Sequence, residues 1–450
     1  MQTISASEFI ELIKNEYNLI RDYKVLGNVI IPDLIINHKS IHDVRFVDYV
    51  HIANRTLNQI AFRNCEFGSE IEIENCTLTG IQFADCKFTD DFHMRDCVVG
   101  EVSFNGAQVA TILHLQKVKI QTIEIHGPAK NVQFIGCNIE RLRLRKLHET
   151  SHISIMDKVF TDIPVADSVI QDLNLDCSSG LKGTISIRGT SIDTVNFKGV
   201  NTSEGKISFY NSTLKNVNIA NFRNNGYLRV QELTLNSKNS MLQVVNSNLG
   251  KAELMNIDLN NFEYLFIHKS FVEDIVYANI NWCRSTEKMS KMDAADKREI
   301  SRQLKNVMIK SNNRPEELKF YSFEMDAYRK ELKKNKGDWA DRWMLRLNGI
   351  SNKHGLSWSR AFGIIFILTI VFYTVIKAIL GYTSLSNSYI ISDIVNAIEF
   401  VSPIHKFRDV FTINAGHVND WATLFDVIYR ILISYMLYQF LAAFRKYGKK

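Results

Sequence analysis

The sequence lacks the short motifs of the common catalytic sites. It contains no Walker loop, no GxSxG, no HExxH and no pair of carboxylates in a recognisable frame. Its twelve histidines are scattered through unrelated contexts. We therefore expect a protein that is not an enzyme and that binds no cofactor and no metal.

Cysteine is also scarce, with seven in 450 residues, and no two of them lie close together in the chain. Structural zinc ligands come in pairs about two to four residues apart, so this spacing argues against a zinc site. Disulfide frameworks are typical of short secreted chains, whereas this chain is long and its first residues, MQTISASEFIELI, show no signal peptide. We therefore expect reduced thiols.

Four of the cysteines recur every ten or eleven residues within one pattern. Each follows two apolar residues that are spaced two apart, and a further apolar residue comes two positions later. The four units are Ile60, Phe62, Cys65, Phe67; Ile71, Ile73, Cys76, Leu78; Ile81, Phe83, Cys86, Phe88; and Phe92, Met94, Cys97, Val99. The same frame continues, with other small residues in place of cysteine, as far as Ile280. Such sustained self-similarity is the signature of a repeat architecture.

The pattern predicts a β-solenoid. The period of two places side chains on one face of a short strand, and the small residue follows at a corner. Two units, about 21 residues, would make one coil. Cys65 would then stack on Cys86 and Cys76 on Cys97, as buried core residues rather than reactive or metal-binding thiols. Asn or Asp precedes each of these cysteines and suits a left-handed corner.

The segments CEF, CTL and CKF resemble the repeats of pentapeptide-repeat proteins, in which a small residue stands two places before a central Leu or Phe. The resemblance covers about residues 40–281 and implies a right-handed β-solenoid, which we assign to residues 25–281. Residues 1–24 are predicted to cap it with a helix, since Ser5 and Glu8 have the spacing of a capping box.

The composition changes after Trp282. Residues 282–357 are charged and helix-forming, with Pro315 suited to a first helical turn, and predict a cytoplasmic helical hairpin or linker. Residues 358–450 predict a transmembrane domain, because residues 361–380 and 424–444 are apolar enough to span a bilayer. Trp358, Tyr382 and Trp421 are expected to act as interfacial anchors.

Basic residues flank the outer ends of the two predicted spans. They are Arg342, Arg346, Lys353 and Arg360 before the first, and Arg445, Lys446, Lys449 and Lys450 after the second. The connecting loop contains only two basic residues, so the positive-inside rule predicts a multi-pass membrane protein with both termini in the cytoplasm.

The charge distribution separates the same regions. Residues 25–281 contain 24 basic and 28 acidic side chains, whereas residues 282–450 carry a net charge of +11. We therefore expect anionic lipid headgroups as partners of the C-terminal part. The near-neutral repeat region argues against nucleic acid as a partner and against mimicry of nucleic acid.

The C-terminal part resembles bacterial membrane proteins that combine pentapeptide-like repeats with a two-span module similar to two-helix ion channels. The matching segments are FYSFEMDAYRK, LNGISNKHGLSWSRAFG and YQFLAAFRKYGKK. The resemblance implies a homo-oligomeric, pore-like module. Between the spans, SDIVNAIEFVSP predicts a short half-helix, and the lack of a TVGYG-like filter gives no support for potassium selectivity.

Three ionisable residues in this module are candidate pore or interface residues, namely Lys377, Asp426 and Arg430. Asp426 and Arg430 are four residues apart and can pair on one helix face. Arg430 either lines an aqueous lumen or forms an interfacial salt bridge with Asp426, and Lys377 either has a similar role or snorkels to the interface.

One basic cluster interrupts the repeat region. Arg141, Arg143, Arg145 and Lys146 form a candidate patch for an anionic ligand, since Leu142 and Leu144 would point inward and the arginines outward. The alternative is an ordinary solvated strand face.

The expected function is an oligomeric membrane protein in which a cytoplasmic β-solenoid binds an unknown protein or small ligand and is coupled to a pore-like module. Bacterial stress response or anti-phage defence would suit this architecture. The alternative is a membrane-anchored scaffold that recruits partner proteins without conductance.

Overall fold

The chain folds into two compact units, Met1–Met292 and Asp293–Lys450. The structure, a computed structural model, describes residues 1–15, 19–31, 38–148, 150–156, 160–235, 240–283, 285–289, 291–335, 337–381, 390–411 and 419–444. The first unit is mainly β and the second is helical.

The first unit is built from short strands. In chain order they are β1 (Gln2–Ser5), β2 (Leu19–Arg21), β3 (Tyr23–Leu26), β4 (Val29–Ile30), β5 (Lys39–His42), β6 (Arg45–Phe46), β7 (Val50–Ala53), β8 (Thr56–Arg63), β9 (Glu66–Phe67), β10 (Ile71–Glu74), β11 (Thr77–Ala84), β12 (Lys87–Phe88), β13 (Phe92–Arg95), β14 (Val98–Asn105), β15 (Gln108–Gln116), β16 (Lys119–His126), β17 (Ala129–Ile135), β18 (Asn138–Arg145), β19 (Thr150–Met156), β20 (Phe160–Ala166), β21 (Val169–Leu181), β22 (Thr184–Arg188), β23 (Ser191–Asn201), β24 (Lys206–Tyr210), β25 (Thr213–Asn224), β26 (Tyr227–Gln231), β27 (Thr234–Leu235), β28 (Met241–Val245), β29 (Glu253–Asp258), β30 (Tyr264–His268) and β31 (Val276–Asn281). Two 3₁₀ turns, Leu259–Asn261 and Thr286–Met289, lie near the end of the unit.

These strands form a parallel β-solenoid of about 12 turns, which confirms the predicted fold class. One ladder runs β2-β5-β8-β11-β14-β16-β18-β20-β22-β24-β26-β29-β31, and the other strands form a second sheet. Thr56 pairs with Thr77, 21 residues later, as predicted. The coil length is not fixed, however, because Lys119 pairs with Asn138 and Arg229 with Glu253. Buried side chains stay paired across the shorter coil, as Ile120 is with Ile139.

The inside of the early coils is filled by two columns of stacked phenylalanine rings. Phe46, Phe67 and Phe88 lie at centroid distances of 5.0 Å, and Phe62, Phe83 and Phe104 at 5.1 Å. Rings of one column meet rings of the other edge to face. Each such pair contributes about 0.5–1.5 kcal/mol beyond the burial of its area.

The predicted cysteine columns are present, and hydrogen bonding explains them better than size alone. The backbone N–H of Cys76 donates to Sγ of Cys97 at 3.3 Å, and Sγ of Cys76 donates to the carbonyl oxygen of Glu74 at 3.2 Å. In later coils Ser168, Thr190, Ser212, Ser247 and Ser270 make the same bond to the carbonyl two residues earlier, at 2.7–3.0 Å. These coils therefore hold a small donor at this position, whereas Ala107, Val118 and Leu147 occupy it in other coils without a donor.

The corners before the cysteines are left-handed. Asn64, Asn75, Asp85 and Asp96 have φ angles between 49° and 53°. Asn and Asp tolerate this conformation better than other residues with a side chain, which confirms the predicted turn chemistry.

The N-terminal segment combines strands with one helix, α1 (Ala6–Lys14). The predicted capping box is formed, since Ser5 and Glu8 bond each other's backbone N–H. Phe9 is buried and meets Phe46 edge to face at 5.2 Å. Strands β1 and β2 already belong to the two sheets, so the solenoid begins within the segment that was predicted to be its cap.

The second unit contains the remaining helices. They are α2 (Ala294–Lys310), α3 (Arg314–Lys334), α4 (Trp339–Asn352), α5 (Trp358–Ile379), α6 (Ile390–Phe400), α7 (Phe407–Val410) and α8 (Asp420–Phe444). Asn313 caps α3 and Pro315 lies in its first turn, as predicted. Helices α2 and α3 pair through Lys305 and Glu324, whose charged atoms are 2.7 Å apart.

Candidate functional site

Helices α5 and α8 pack against each other and are both long and apolar enough to cross a membrane. Only 22% and 28% of their most apolar windows are buried. Their contact includes Ile365, Ile376, Ile433 and Met436, and the hydroxyl groups of Thr369 and Tyr429 lie 3.0 Å apart. The two helices match the predicted spans, although α8 begins four residues earlier than expected, at Asp420.

Helix α6 ends against this pair, where the half-helix was predicted. Phe400 is fully buried and stacks on Tyr429 with a centroid distance of 4.0 Å and an interplanar angle of 5°. Phe411 stacks on Tyr373 of α5 at 5.4 Å. Aromatic packing therefore fixes the segment between the long helices against both of them.

The segment after α6 brings a histidine to the predicted Asp426–Arg430 pair. Nε2 of His405 lies 2.8 Å from one carboxylate oxygen of Asp426, and Nε of Arg430 donates to the other at 2.8 Å. The side chain of His405 is fully buried, that of Asp426 is 3% exposed and that of Arg430 is 32% exposed. Asp426 and Arg430 therefore pair as predicted, and Asp426 also binds His405.

Both ring nitrogens of His405 have a partner. Nδ1 lies 2.6 Å from the carbonyl oxygen of Ser402, and Nε2 faces the carboxylate that also accepts from Arg430. The two contacts fix the orientation of the ring, so His405, Asp426 and Arg430 form one cluster around a buried carboxylate.

Lys377 pairs with a residue of α6. Its Nζ lies 2.8 Å from both carboxylate oxygens of Asp393, and the two side chains are 24% and 32% exposed. Lys377 thus forms an ion pair between α5 and α6, and its partner, Asp393, does not belong to the Asp426 cluster.

A second polar cluster joins α4 to α8. Asn352 donates to the backbone and side-chain oxygens of Gln439 at 3.0 and 2.6 Å. Tyr435 and Gln439 both donate to the side chain of Asn348, at 2.8 and 2.9 Å. Trp358, at the start of α5, contacts the rings of Phe440 and Phe444. These bonds fix the end of α4 near the start of α5 and the end of α8.

The predicted anionic-ligand patch lies on β18. Leu142 and Leu144 are fully buried, whereas Arg141 and Arg145 are exposed and Arg143 is half-buried. Register places Arg143 beside Glu124 and Arg141 beside Asp162 on the neighbouring strands. Lys146 is exposed at the following corner, with a φ of 48°. Because acidic side chains flank the arginines, this geometry resembles a mixed-charge strand face more than an anion-binding cradle.

Only some of the expected interfacial residues lie within the part of the chain that the structure describes. Trp358 and Trp421 are exposed at the starts of α5 and α8. Tyr382 and the basic residues Arg445, Lys446, Lys449 and Lys450 lie outside the described residues.

Sequence reasoning missed His405 and Asp393 as partners of the candidate residues. A signal existed for Asp393, since it is a charge within the apolar stretch that forms α6. No spacing rule links His405 to Asp426 across 21 residues. Among the described residues, no group of three or more His, Cys, Asp or Glu side chains is arranged to hold a metal ion.

Comparison with protein families, with curated proteins and with solved structures finds no match to this chain.

Proposed function

We propose that this chain is a multi-pass protein of a bacterial inner membrane, in which α5 and α8 span the bilayer and several copies surround a pore. The solenoid lies in the cytoplasm and binds a protein or small ligand that controls the pore. Stress response or defence against phage by depolarisation is the physiological setting that we propose.

The observation that carries the proposal is the exposed apolar surface of the two long helices. On α5, Phe362, Phe366 and Ile367 are 55–61% exposed, and on α8, Ile431 and Leu441 are 61–66% exposed. Removing such a side chain from water is worth about 1.5–3 kcal/mol. A surface of this kind is stable in lipid and promotes aggregation in water.

Helix α6 supports the pore-like topology and the oligomer. Ile391, Ile394, Val395 and Ile398 are 54–80% exposed and recur at helical spacing, so this face of α6 has no cover among the residues that the structure describes. A short helix fixed between two spans, with an uncovered apolar face, suits contact with a neighbouring subunit.

The positions of the charges support a polar lumen beside these helices. Arg430 and Lys377 are both partly exposed, and each is held by a carboxylate. Ionisable side chains at membrane depth usually face water or a partner. The basic residues before α5 support a cytoplasmic position for both termini and the solenoid.

The test is ion flux through liposomes that contain the purified full chain. We expect flux that Arg430→Gln reduces at least severalfold, because that change removes a lumenal charge, whereas Arg188→Gln on the solenoid leaves it unchanged. Native mass spectrometry in detergent should show an oligomer. A monomer without flux that remains integrated in the membrane would contradict the pore and favour the alternative, a membrane-anchored scaffold that recruits partners.

A further inference from the structure

Helix α4 carries an uncovered apolar stripe beside a row of cations. Trp339, Trp343, Leu347 and Ile350 are 47–68% exposed and lie one helical turn apart. Arg342 and Arg346 flank this stripe, and the guanidinium group of Arg346 lies 5.3 Å from the ring centroid of Trp343. Amphipathic helices with aromatic and basic residues in this arrangement lie in membrane interfaces.

Helices α3 and α4 enclose a cleft on the basic side of that stripe. Its volume is about 670 Å³, and it is lined by Arg329, Lys330, Lys333, Trp339, Arg342, Trp343 and Arg346. Every charged side chain in this lining is a cation.

The acidic residues near the cleft are engaged elsewhere or bind weakly. Asp338 caps α4 by accepting from the N–H of Ala340 at 3.0 Å. Asp326 lies 3.5 Å from Nε2 of His354 and 3.9 Å from Arg329, the longer of its two ion pairs. Burial and the charge of Lys330 lower the pKa of Lys297 on α2, as expected where cations are crowded. The cleft therefore has unbalanced positive charge.

The bonds between Asn352 and Gln439 tie α4 to the two long helices. They hold the C-terminal end of α4 at the end of α8, and α5 begins six residues after α4 ends. If α5 and α8 lie in a bilayer, as we proposed above, this end of α4 lies at its surface. The exposed apolar stripe then keeps the rest of α4, with the cleft beside it, in the interface where lipid phosphates lie.

We infer that the α3–α4 cleft binds the phosphate of an anionic phospholipid headgroup, while Trp339 and Trp343 pack beside the glycerol and upper acyl chains. Arginine matches phosphate oxygens with paired donors, and Arg342 and Arg346 both line the cleft. This inference rests on the membrane placement of α5 and α8 and does not require conductance.

The test uses the full chain in nanodiscs of phosphatidylcholine that contain an equal fraction of either brominated phosphatidylglycerol or brominated phosphatidylcholine. Bromine quenches tryptophan on contact, and the emission of Trp339 and Trp343 is obtained by difference from a W339F/W343F variant. We expect brominated phosphatidylglycerol to quench this emission severalfold more than brominated phosphatidylcholine does. R342Q/R346Q should abolish that preference, and R342K/R346K should retain part of it.

Matched variants separate the cleft from general charge. R63Q/R223Q, at two exposed arginines of the solenoid, removes the same number of arginines and should leave the lipid preference unchanged. Thermal unfolding checks that R342Q/R346Q is folded, and K330Q/K333Q, which alters two exposed side chains of α3, gives an independent test of the same cleft.

Three results would overturn the inference. Equal quenching by the two brominated lipids would exclude an anionic site and leave the membrane placement intact. Loss of the preference on adding inorganic phosphate would identify a site for free phosphate. Absence of quenching at Trp339 and Trp343 would remove α4 from the interface, and absence of quenching at Trp358 as well, by difference from W358F, would contradict the proposed function itself.

Discussion

The two units differ in the side chains that they expose and in the polar groups that they bury. In the solenoid, apolar residues point inward in every described coil, and the exposed large apolar residues, such as Val98, Val169 and Phe271, are scattered. In the helical unit, α5, α6 and α8 expose rows of apolar residues while His405 and Asp426 are buried. The first pattern suits a protein surrounded by water. The second suits helices that contact an apolar environment, such as lipid or another chain.

The buried polar groups show the same contrast. Within the solenoid the buried polar groups are neutral except for Lys39. In the buried pair Asn201 and Asn224, Asn201 donates to Asn224 at 2.7 Å and Asn224 donates to the carbonyl of Leu249 at 2.9 Å. In the helical unit the buried cluster is ionic. Neutral amides stack from coil to coil with little desolvation cost, whereas a buried charge requires a fixed partner, so the ionic cluster is the more sensitive to substitution.

The largest effect is therefore expected from Asp426→Ala. Removing this carboxylate leaves the buried His405 and the partly buried Arg430 without their anion, which costs about 3–5 kcal/mol. The unfolding temperature of the helical unit, followed by its helical signal in detergent, should fall accordingly. The control is Lys377→Gln, which breaks a half-exposed ion pair and should cost less than about 1 kcal/mol. Similar losses for both variants would contradict the greater sensitivity of the buried ionic cluster to substitution.

Phe83→Ala tests the solenoid interior. Phe83 stacks between Phe62 and Phe104 and also meets Phe67 and Phe88, so the substitution leaves a cavity and costs about 3–5 kcal/mol. Urea unfolding followed by the β signal measures it. Phe271→Ala, at an exposed site, should change the midpoint little. Because coils contact mainly their neighbours, the loss should be concentrated in nearby coils, which hydrogen exchange can show.

The cysteine position should tolerate serine better than a larger apolar residue. Cys137→Ser keeps a donor for the carbonyl of Ile135 and resembles Ser212, so we expect a loss below about 1 kcal/mol. Cys137→Leu overfills the corner and should cost about 1–3 kcal/mol. A larger loss of stability for Cys137→Ser than for Cys137→Leu would show that apolarity, and not hydrogen bonding, selects cysteine there.

Thiol reactivity gives a related test. Burial raises the pKa of Cys137. Burial, and to a smaller extent the charge of the nearby Asp176, raises the pKa of Cys177 to about 12. Native protein should therefore react with a bulky maleimide at neutral pH far more slowly than unfolded protein. Rapid native labelling would contradict the closed interior.

The smallest effect is a pH dependence in the helical unit. His354 lowers the pKa of Asp326 below its ordinary value of 3.8. A lowered folded-state pKa stabilises the fold above the unfolded-state value, and this contribution is lost as the pH falls through the folded-state value. Asp326 is 37% exposed, so we expect less than about 1 kcal/mol. Asp326→Asn should flatten the stability curve below about pH 4.

The repeat period, the inward columns, the left-handed corners and the two long apolar helices could all be predicted from the sequence. Each follows from local spacing: a period of two fixes which side chains face inward, and a step of 21 places like above like. The pairing of Asp426 with Arg430 was equally predictable, because residues four apart share a helix face.

The sequence by itself thus determined the repeating core and the apolar helices, since both are encoded by short-range periodicity. Only the tertiary structure decided that His405 binds Asp426, that Lys377 binds Asp393, and that α3 and α4 close a cationic cleft. These contacts join residues from separate elements, and their formation depends on how helices and the segments between them pack. No spacing along the chain specifies that packing.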